Sequence, residues 1–407
     1  MSTAPDDPAD ERSHFLPVSL ELLLEDLLKT VVGASERAGF ERLGKLWLAL
    51  FHLRMRADLE GLRRTYAPFD PDVELLVPDR EIDRPAARTE LEGRLRTLLG
   101  RAHFTEATRA DLDSALTKIS PQGLAVTVDL DELDLFALYF RGVSSRSSRQ
   151  RDPRALWLRW REHEETIYRR VVLLIEVKPS GEGETGMDAR HVYLKLFKDV
   201  PRSDLEMLLP NTKVCMRAFD KLRLGVTGGG GTIGGVMATV TKIGVAASPV
   251  TWALALAGLG AVLWRQLSNV LSQRTKYMAT LAQRLYFHTL DNGFGVLTRL
   301  VQVAEEEECK EVLLAAAHLV QGGAMSAEEL DARAEAWIES TYGLHVDYDV
   351  HGGVQKLRQA GLLVAVVAVV DSDDSDEQAV QLLPLEQARC LLDQRWDAVF
   401  DWKQPPE

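Results

Sequence analysis

The 41 residues from Leu224 to Trp264 constrain this chain more than any other stretch, because between Arg223 and Arg265 they carry a single charge, Lys242. Lys242 divides them into uncharged runs of 18 residues (Leu224–Thr241) and 22 residues (Ile243–Trp264). At about 1.5 Å of rise per helical residue, each run reaches roughly the thickness of a hydrocarbon core. A two-helix transmembrane hairpin is the expectation. The second run is apolar from Ala253 to Leu263, and Trp264 sits where an interfacial aromatic would lie. The first run is rich in glycine, which costs a helix about 1 kcal/mol per residue. Its Gly230, Gly231, Gly234 and Gly235 form two pairs at a spacing of four, a bare face for close helix packing, so the second helix would carry the first into the bilayer.

Two rival readings of the glycines stand beside this one. A phosphate-binding loop fails, because no Lys-Ser or Lys-Thr follows at the required position. A glycine-faced hairpin buried between subunits of an oligomer stays open. Charge orients the hairpin. Lys213, Arg217, Lys221 and Arg223 precede it, and Arg265, Arg274, Lys276 and Arg284 follow. The positive-inside rule then makes this a multi-pass membrane protein, in a bacterial inner membrane, with cytoplasmic N- and C-terminal domains.

The rest of the chain is ordinary globular sequence. Its 407 residues allow two or three domains, and the net charge of −13 disfavours a nucleic-acid partner. Cys215, Cys309 and Cys390 are too widely spaced for a disulfide framework or a zinc site. Residues 1–14 read as a disordered acidic N-terminus and 15–200 as an α+β cytosolic domain. Within that domain, Phe40, Leu43, Trp47, Leu50 and Phe51 recur at helical spacing, and Tyr66–Asp72 breaks the helix with two prolines. Helices follow near 87–99 and 106–119. After Pro121 come short strands at 124–130, 135–141, 156–161, 167–177 and 191–197, an antiparallel sheet with the helices packed on it. The loop between the second and third strands carries Arg141, Arg146, Arg149, Arg151 and Arg154. These arginines are either a solvated charge run or a contact for anionic lipid headgroups.

Residues 201–223 read as a juxtamembrane linker helix, 224–264 as the hairpin, 265–303 as post-membrane helices, and 304–403 as an acidic unit. In that last unit three helices and a β-hairpin suggest a winged helix. From Glu305 to Glu407 there are 7 Lys and Arg against 22 Asp and Glu, a net of −15, so the winged helix would serve structure or protein binding rather than DNA. The expected fold is thus an α+β membrane-anchored protein: N-terminal helices on an antiparallel sheet, a transmembrane hairpin, and a C-terminal winged-helix-like domain.

A resemblance is carried by Phe197-Lys198-Asp199-Val200-Pro201, Leu209-Pro210-Asn211-Thr212-Lys213 and Phe219-Asp220-Lys221-Leu222. Tyr66-Ala67-Pro68-Phe69-Asp70-Pro71 and the cluster Glu305–Glu308, Lys310 and Glu311 share in it. Together they resemble domain-of-unknown-function family 3754, an uncharacterised membrane family that includes the mitochondrial transmembrane protein 143. The resemblance implies an integral membrane protein with the hairpin in its middle. It brings no catalytic residues.

No catalytic or metal motif stands out, and no cofactor is expected. Asp199, Lys213, Arg217, Asp220, Lys221, His288 and Asp291 form a polar cluster around the expected membrane surface. They would act as helix caps and ion pairs, or line an active site. Charged, solvated helix faces account for the Glu305–Glu308 run. Two function classes follow. The first is a non-enzymatic, membrane-anchored scaffold or assembly protein whose partners are the bilayer, other proteins or a second copy of itself. The second is a membrane-bound enzyme acting on lipid or lipid-linked substrates.

Overall fold

The computed structural model describes residues 14–73, 83–108, 125–128, 133–151, 160–179, 187–202, 212–215, 285–366 and 379–399, with single residues at 205, 208, 264 and 283. Helix α1 (Leu20–Thr30) starts where the Ser19 hydroxyl accepts from the Leu22 amide. Helix α2 (Arg37–Tyr66) buries Phe40, Leu43, Trp47, Phe51, Met55, Leu59, Leu62 and Tyr66 at spacings of three and four, one continuous apolar face. Helix α3 (Arg84–Arg101) has Asp83 as its cap and Pro85 in its first turn, where a missing amide donor does no harm.

The main sheet is antiparallel, in the order β1-β3-β4-β5-β7. Its strands are β1 (Thr105–Glu106), β3 (Leu133–Arg151), β4 (Trp160–Val177), β5 (Val192–Pro201) and β7 (Thr289–Asn292). A separate two-stranded sheet pairs β2 (Ala125–Val128) with β6 (Thr212–Cys215). The main sheet is covered on both faces, which explains the unbroken Val171-Val172-Leu173-Leu174-Ile175 run in β4. Val172 and Leu174 join the helical core, while Val171, Leu173 and Ile175 join a second cluster with Phe197, Leu205 and Leu208.

Helix α4 (Phe294–Gly322) is the centre of the molecule. Helices α1, α2 and α3 pack on it from the N-terminal side. From the C-terminal side come α5 (Ala327–Tyr342), α6 (Val350–Gln359) and the hairpin of β8 (Leu363–Val366) and β9 (Ala379–Leu382). Helix α7 (Leu385–Ala398) closes back onto α2. One buried cluster runs from Leu16 to Leu392 and takes in residues of α1 through α7.

Four expectations are corrected by this arrangement. Among the described residues no helix is long and apolar enough to cross a membrane. The transmembrane hairpin therefore has no support, and neither does an integral membrane protein, as scaffold or as lipid enzyme, in a multi-pass location. The long described helices, α2 and α4, bury their apolar faces against other protein elements, and both carry charges on every few turns. Residues 224–263 lie outside the described residues. Instead of a membrane-anchored protein with a separate C-terminal winged helix, the chain is a mixed helix-and-sheet fold with the C-terminal helices and hairpin inside the common core. The expected basic loop at 141–151 is strand: the β3–β4 register sets Arg146 opposite Glu165 and Arg149 opposite Glu162. Finally, Thr289–Asn292, expected within the post-membrane helices of 265–303, adds an edge strand to β5.

Candidate functional site

Helix α4 reads Val-Leu-Thr-Arg-Leu-Val-Gln-Val-Ala before Glu305 and Val-Leu-Leu-Ala-Ala-Ala-His-Leu-Val after Glu311. The apolar residues of these flanks lay one side of the helix against protein, and part of the charged segment falls on that side. Glu307, Glu308, Lys310 and Glu311 are buried. Each buried carboxylate meets a cation. Glu308 receives Arg101 of α3 through two guanidinium nitrogens at 2.8 and 3.1 Å, and Arg101 also holds Asp58 of α2 at 2.9 Å. Glu307 takes Arg141 of β3 and Lys310, each at 3.1 Å. Glu311 takes His103 at 2.7 Å and Lys356 of α6 at 2.5 Å. The chain's N-terminal segment is tied in as well: Lys310 donates to the Leu16 carbonyl at 2.9 Å and the Leu16 amide donates to Glu307 at 3.3 Å.

This network joins α2, α3, β3, α6 and the segment before α1 to one stretch of α4. Burial alone would lower the pKa of Arg101, but Glu308 and Asp58 outweigh it and hold the guanidinium charged more firmly than usual. Burial pushes the Cys309 thiol up, and Glu305 and Glu308 push it further, so this cysteine is a poor nucleophile. Among the described residues no group of three or more His, Cys, Asp and Glu could hold a metal ion. The arrangement is a clamp of matched charges.

Beside the clamp, three helix faces converge on an open cleft of about 190 Å³. From α2 come Trp47, Leu50, Phe51 and Arg54, at spacings of three and four that put them on one face. From α6 come Lys356, Gln359 and Ala360, and from α7 Leu392 and Arg395. Trp47 and Phe51 stack with ring centroids 6.1 Å apart. The Trp47 indole nitrogen is buried without a hydrogen-bond partner among the described residues. Arg54 and Arg395 are exposed. Neither forms an ion pair among the described residues, and Arg395 reaches only the Gln359 carbonyl, at 3.4 Å. The floor is aromatic and aliphatic, and the rim is cationic.

The structure scatters the residues singled out in the sequence. Arg141 is turned inward, onto Glu307 and over the Phe15 ring at 4.2 Å. Arg146 is exposed on β3, whose backbone also carries Arg149 and Arg151; Arg154 lies outside the described residues. Gly230, Gly231, Gly234, Gly235, Arg217, Asp220 and Lys221 lie outside them too, while Lys213 sits in β6 opposite Thr127. Asp199, His288 and Asp291 come to one edge of the sheet. His288 Nδ1 lies 2.7 Å from the Lys198 carbonyl oxygen, Asp291 pairs with Arg299, and Asp199 has a positive φ of 49°.

One segment of the resemblance, Tyr66–Pro71, meets the start of β5 and the start of α4. Tyr66 donates to the Val192 carbonyl at 2.9 Å, and Asp70 packs against Gly293, where a Cβ would come 3.3 Å from the Asp70 carboxylate. Gly293 has φ 51°, a conformation glycine adopts without strain. Residues 168–295, from mid-β4 to the first turn of α4, match the model of the family described as Protein of unknown function (DUF3754). Over these residues the chain is similar to that family. The DUF3754 segment supplies β5, β7 and Gly293, while the clamp on α4 and the cleft lie outside it. No solved structure matches the chain.

Proposed function

We propose that the protein works by binding another protein rather than by catalysis, and that the α2–α6–α7 face is where it binds. The observation that carries this reading is the cleft: an apolar floor around Trp47 and Phe51, rimmed by two exposed arginines that no acid of the chain neutralises among the described residues. The clamp supports it from the other side. Its buried carboxylates are each matched by a cation, so they fix helices in place and leave no acid or base free to turn over a substrate. At about 190 Å³ the cleft is smaller than the roughly 300–1,000 Å³ of sites that enclose a whole small molecule. It suits one anchoring side chain of a partner, the usual form of a binding hot spot.

The test is a photoreactive amino acid placed at Gln359, on the rim, and at His345, an exposed position outside the cleft. On irradiation in intact cells, position 359 is expected to give a discrete protein adduct that position 345 does not. Indistinguishable patterns at the two positions would overturn the reading.

A further inference from the structure

The sign of the charge around the cleft narrows what can occupy it. The chain carries a net charge of −13, yet the groups ringing this apolar floor are Arg54, Arg395 and Lys356. Lys356 is committed to Glu311 at 2.5 Å and lies 3.8 Å from Glu308. Arg54 and Arg395 keep their charge available. Arginine presents a planar fork of donors that fits a carboxylate two bonds at a time, and it is weakly hydrated, so pairing at a protein surface costs it little. The apolar part between the arginines is lined by two stacked aromatic rings and has room for one aromatic or long aliphatic side chain.

Resting on the binding reading above, we propose that the cleft recognises a short acidic segment of a partner protein. One bulky apolar residue of that segment sits on Trp47 and Phe51, and carboxylates on either side of it pair with Arg54 and Arg395. A long-chain lipid is disfavoured by volume, since an acyl chain would overfill about 190 Å³. A basic or nucleic-acid partner is disfavoured by charge, the one because the rim repels it and the other because the rest of the surface does.

The experiment uses the full chain and a short fluorescein-labelled peptide of Asp and Glu flanking a single Phe, read by fluorescence anisotropy. Binding is expected to weaken as salt rises, as a contact between exposed charges must. Replacing the peptide's Phe by Ala, or its acids by Lys, is expected to cost at least roughly tenfold in affinity, the scale of a lost hot spot. Arg54→Glu with Arg395→Glu is expected to abolish binding while the circular dichroism spectrum stays unchanged, because both side chains are exposed. Gln359→Trp, which fills the cleft from its rim, is expected to do the same without adding charge. Equal binding of the Lys peptide, or undiminished binding by the double Arg variant, overturns the proposal. So does retention of the chain on phosphatidylserine vesicles through the same two arginines when the peptide is not bound. If position 359 still cross-links a protein but the acidic peptide does not bind, the inferred ligand chemistry falls and the binding reading stands.

Discussion

The clamp on α4 and the cleft beside it use the same residue types for opposite ends, and Lys356 belongs to both. In the clamp every buried carboxylate has its cation, and the cations come from four separate parts of the chain. In the cleft the arginines face water with no acid of their own, and the buried partners are aromatic. Internally matched charge holds elements together but has nothing left to offer a ligand. Unmatched charge at the rim of an apolar hollow contributes little to the fold and can select a partner by sign. The two regions should therefore respond oppositely to mutation, the clamp in stability and the cleft in binding.

The largest effect is expected at Arg101. Arg101→Met leaves Glu308 buried with only Lys356 at 3.8 Å, and removing one partner of a buried pair typically costs about 3–5 kcal/mol. Urea unfolding measures it. The sharper form is the double variant Arg101→Met with Glu308→Met. Replacing both charges by apolar groups of similar size is often close to neutral, so most of the lost stability should return. A double variant as unstable as the single one would mean that Arg101 acts through its packing, not its charge.

Next comes His318, which sits two turns beyond the clamp with its ring edge-on to Trp337 and Nε2 without a partner. Burial, helped by Arg333, pulls its pKa down to about 4 from the ordinary 6.5. The folded form thus keeps His318 neutral while the unfolded chain takes up a proton below pH 6.5. The stability from this group is present above pH 6.5 and is lost as pH falls toward 4, by up to about 3 kcal/mol at about 1.4 kcal/mol per unit. His318→Phe cannot take up that proton. Unfolding curves at pH 7 and pH 4.5 should show a smaller acid loss for the variant than for the native chain. An identical acid loss would show that the ring is solvated.

Much of this body could be read from the residues. The face of α2 from Phe40 to Phe51, the Ser326 cap of α5 and the Gly343 end of that helix all follow from local pattern, and each lies as the spacing requires. The clamp was misread because a run of four glutamates is usually a solvated face. The signal that distinguishes it is the flanks: Val296, Leu297, Leu300, Val301 and Ala304 before it and all of Val312–Leu319 after it are buried, and helical spacing carries Glu307, Glu308 and Glu311 onto that covered side. Their partners, Arg101, His103, Arg141 and Lys356, are 45 to 208 residues away in sequence, and no local rule pairs them. The cleft was invisible for the same reason, since it exists only where α2, α6 and α7 meet. The membrane expectation rested on the length of the uncharged runs at 224–264, almost all of which lie outside the described residues, and among the described residues no helix is long and apolar enough to cross a membrane.

A smaller stability effect is expected where α6 lies against α4. A Cβ on Gly353 would come 2.8 Å from the Glu311 carbonyl oxygen and 3.0 Å from the Tyr348 hydroxyl. The first of these is backbone in the middle of a long helix and cannot step aside. Gly353→Ala should push α6 outward, at a cost of about 1–3 kcal/mol for overpacking, and lengthen the Lys356–Glu311 pair. Because α6 carries one wall of the cleft, the same variant should weaken the acidic peptide without any charge being altered. Unchanged peptide binding would separate the clamp from the cleft more completely than their shared lysine suggests.

The smallest stability change is expected at the rim itself. Arg54→Glu and Arg395→Glu replace exposed side chains, one with no hydrogen bond to protein among the described residues and the other with a long bond to the Gln359 carbonyl. Surface substitutions of this kind usually stay within about 0.5 kcal/mol. Reversing their charge also moves acids toward Lys356, which could draw that lysine away from Glu311 if the clamp were loose. Thermal unfolding decides between the two. A midpoint within a degree or so of the native chain means that the clamp holds Lys356 against a competing carboxylate, and that the rim arginines serve binding alone. A fall as large as that of Arg101→Met would make Arg54 and Arg395 part of the scaffold, and the division between matched and unmatched charge would no longer describe this molecule.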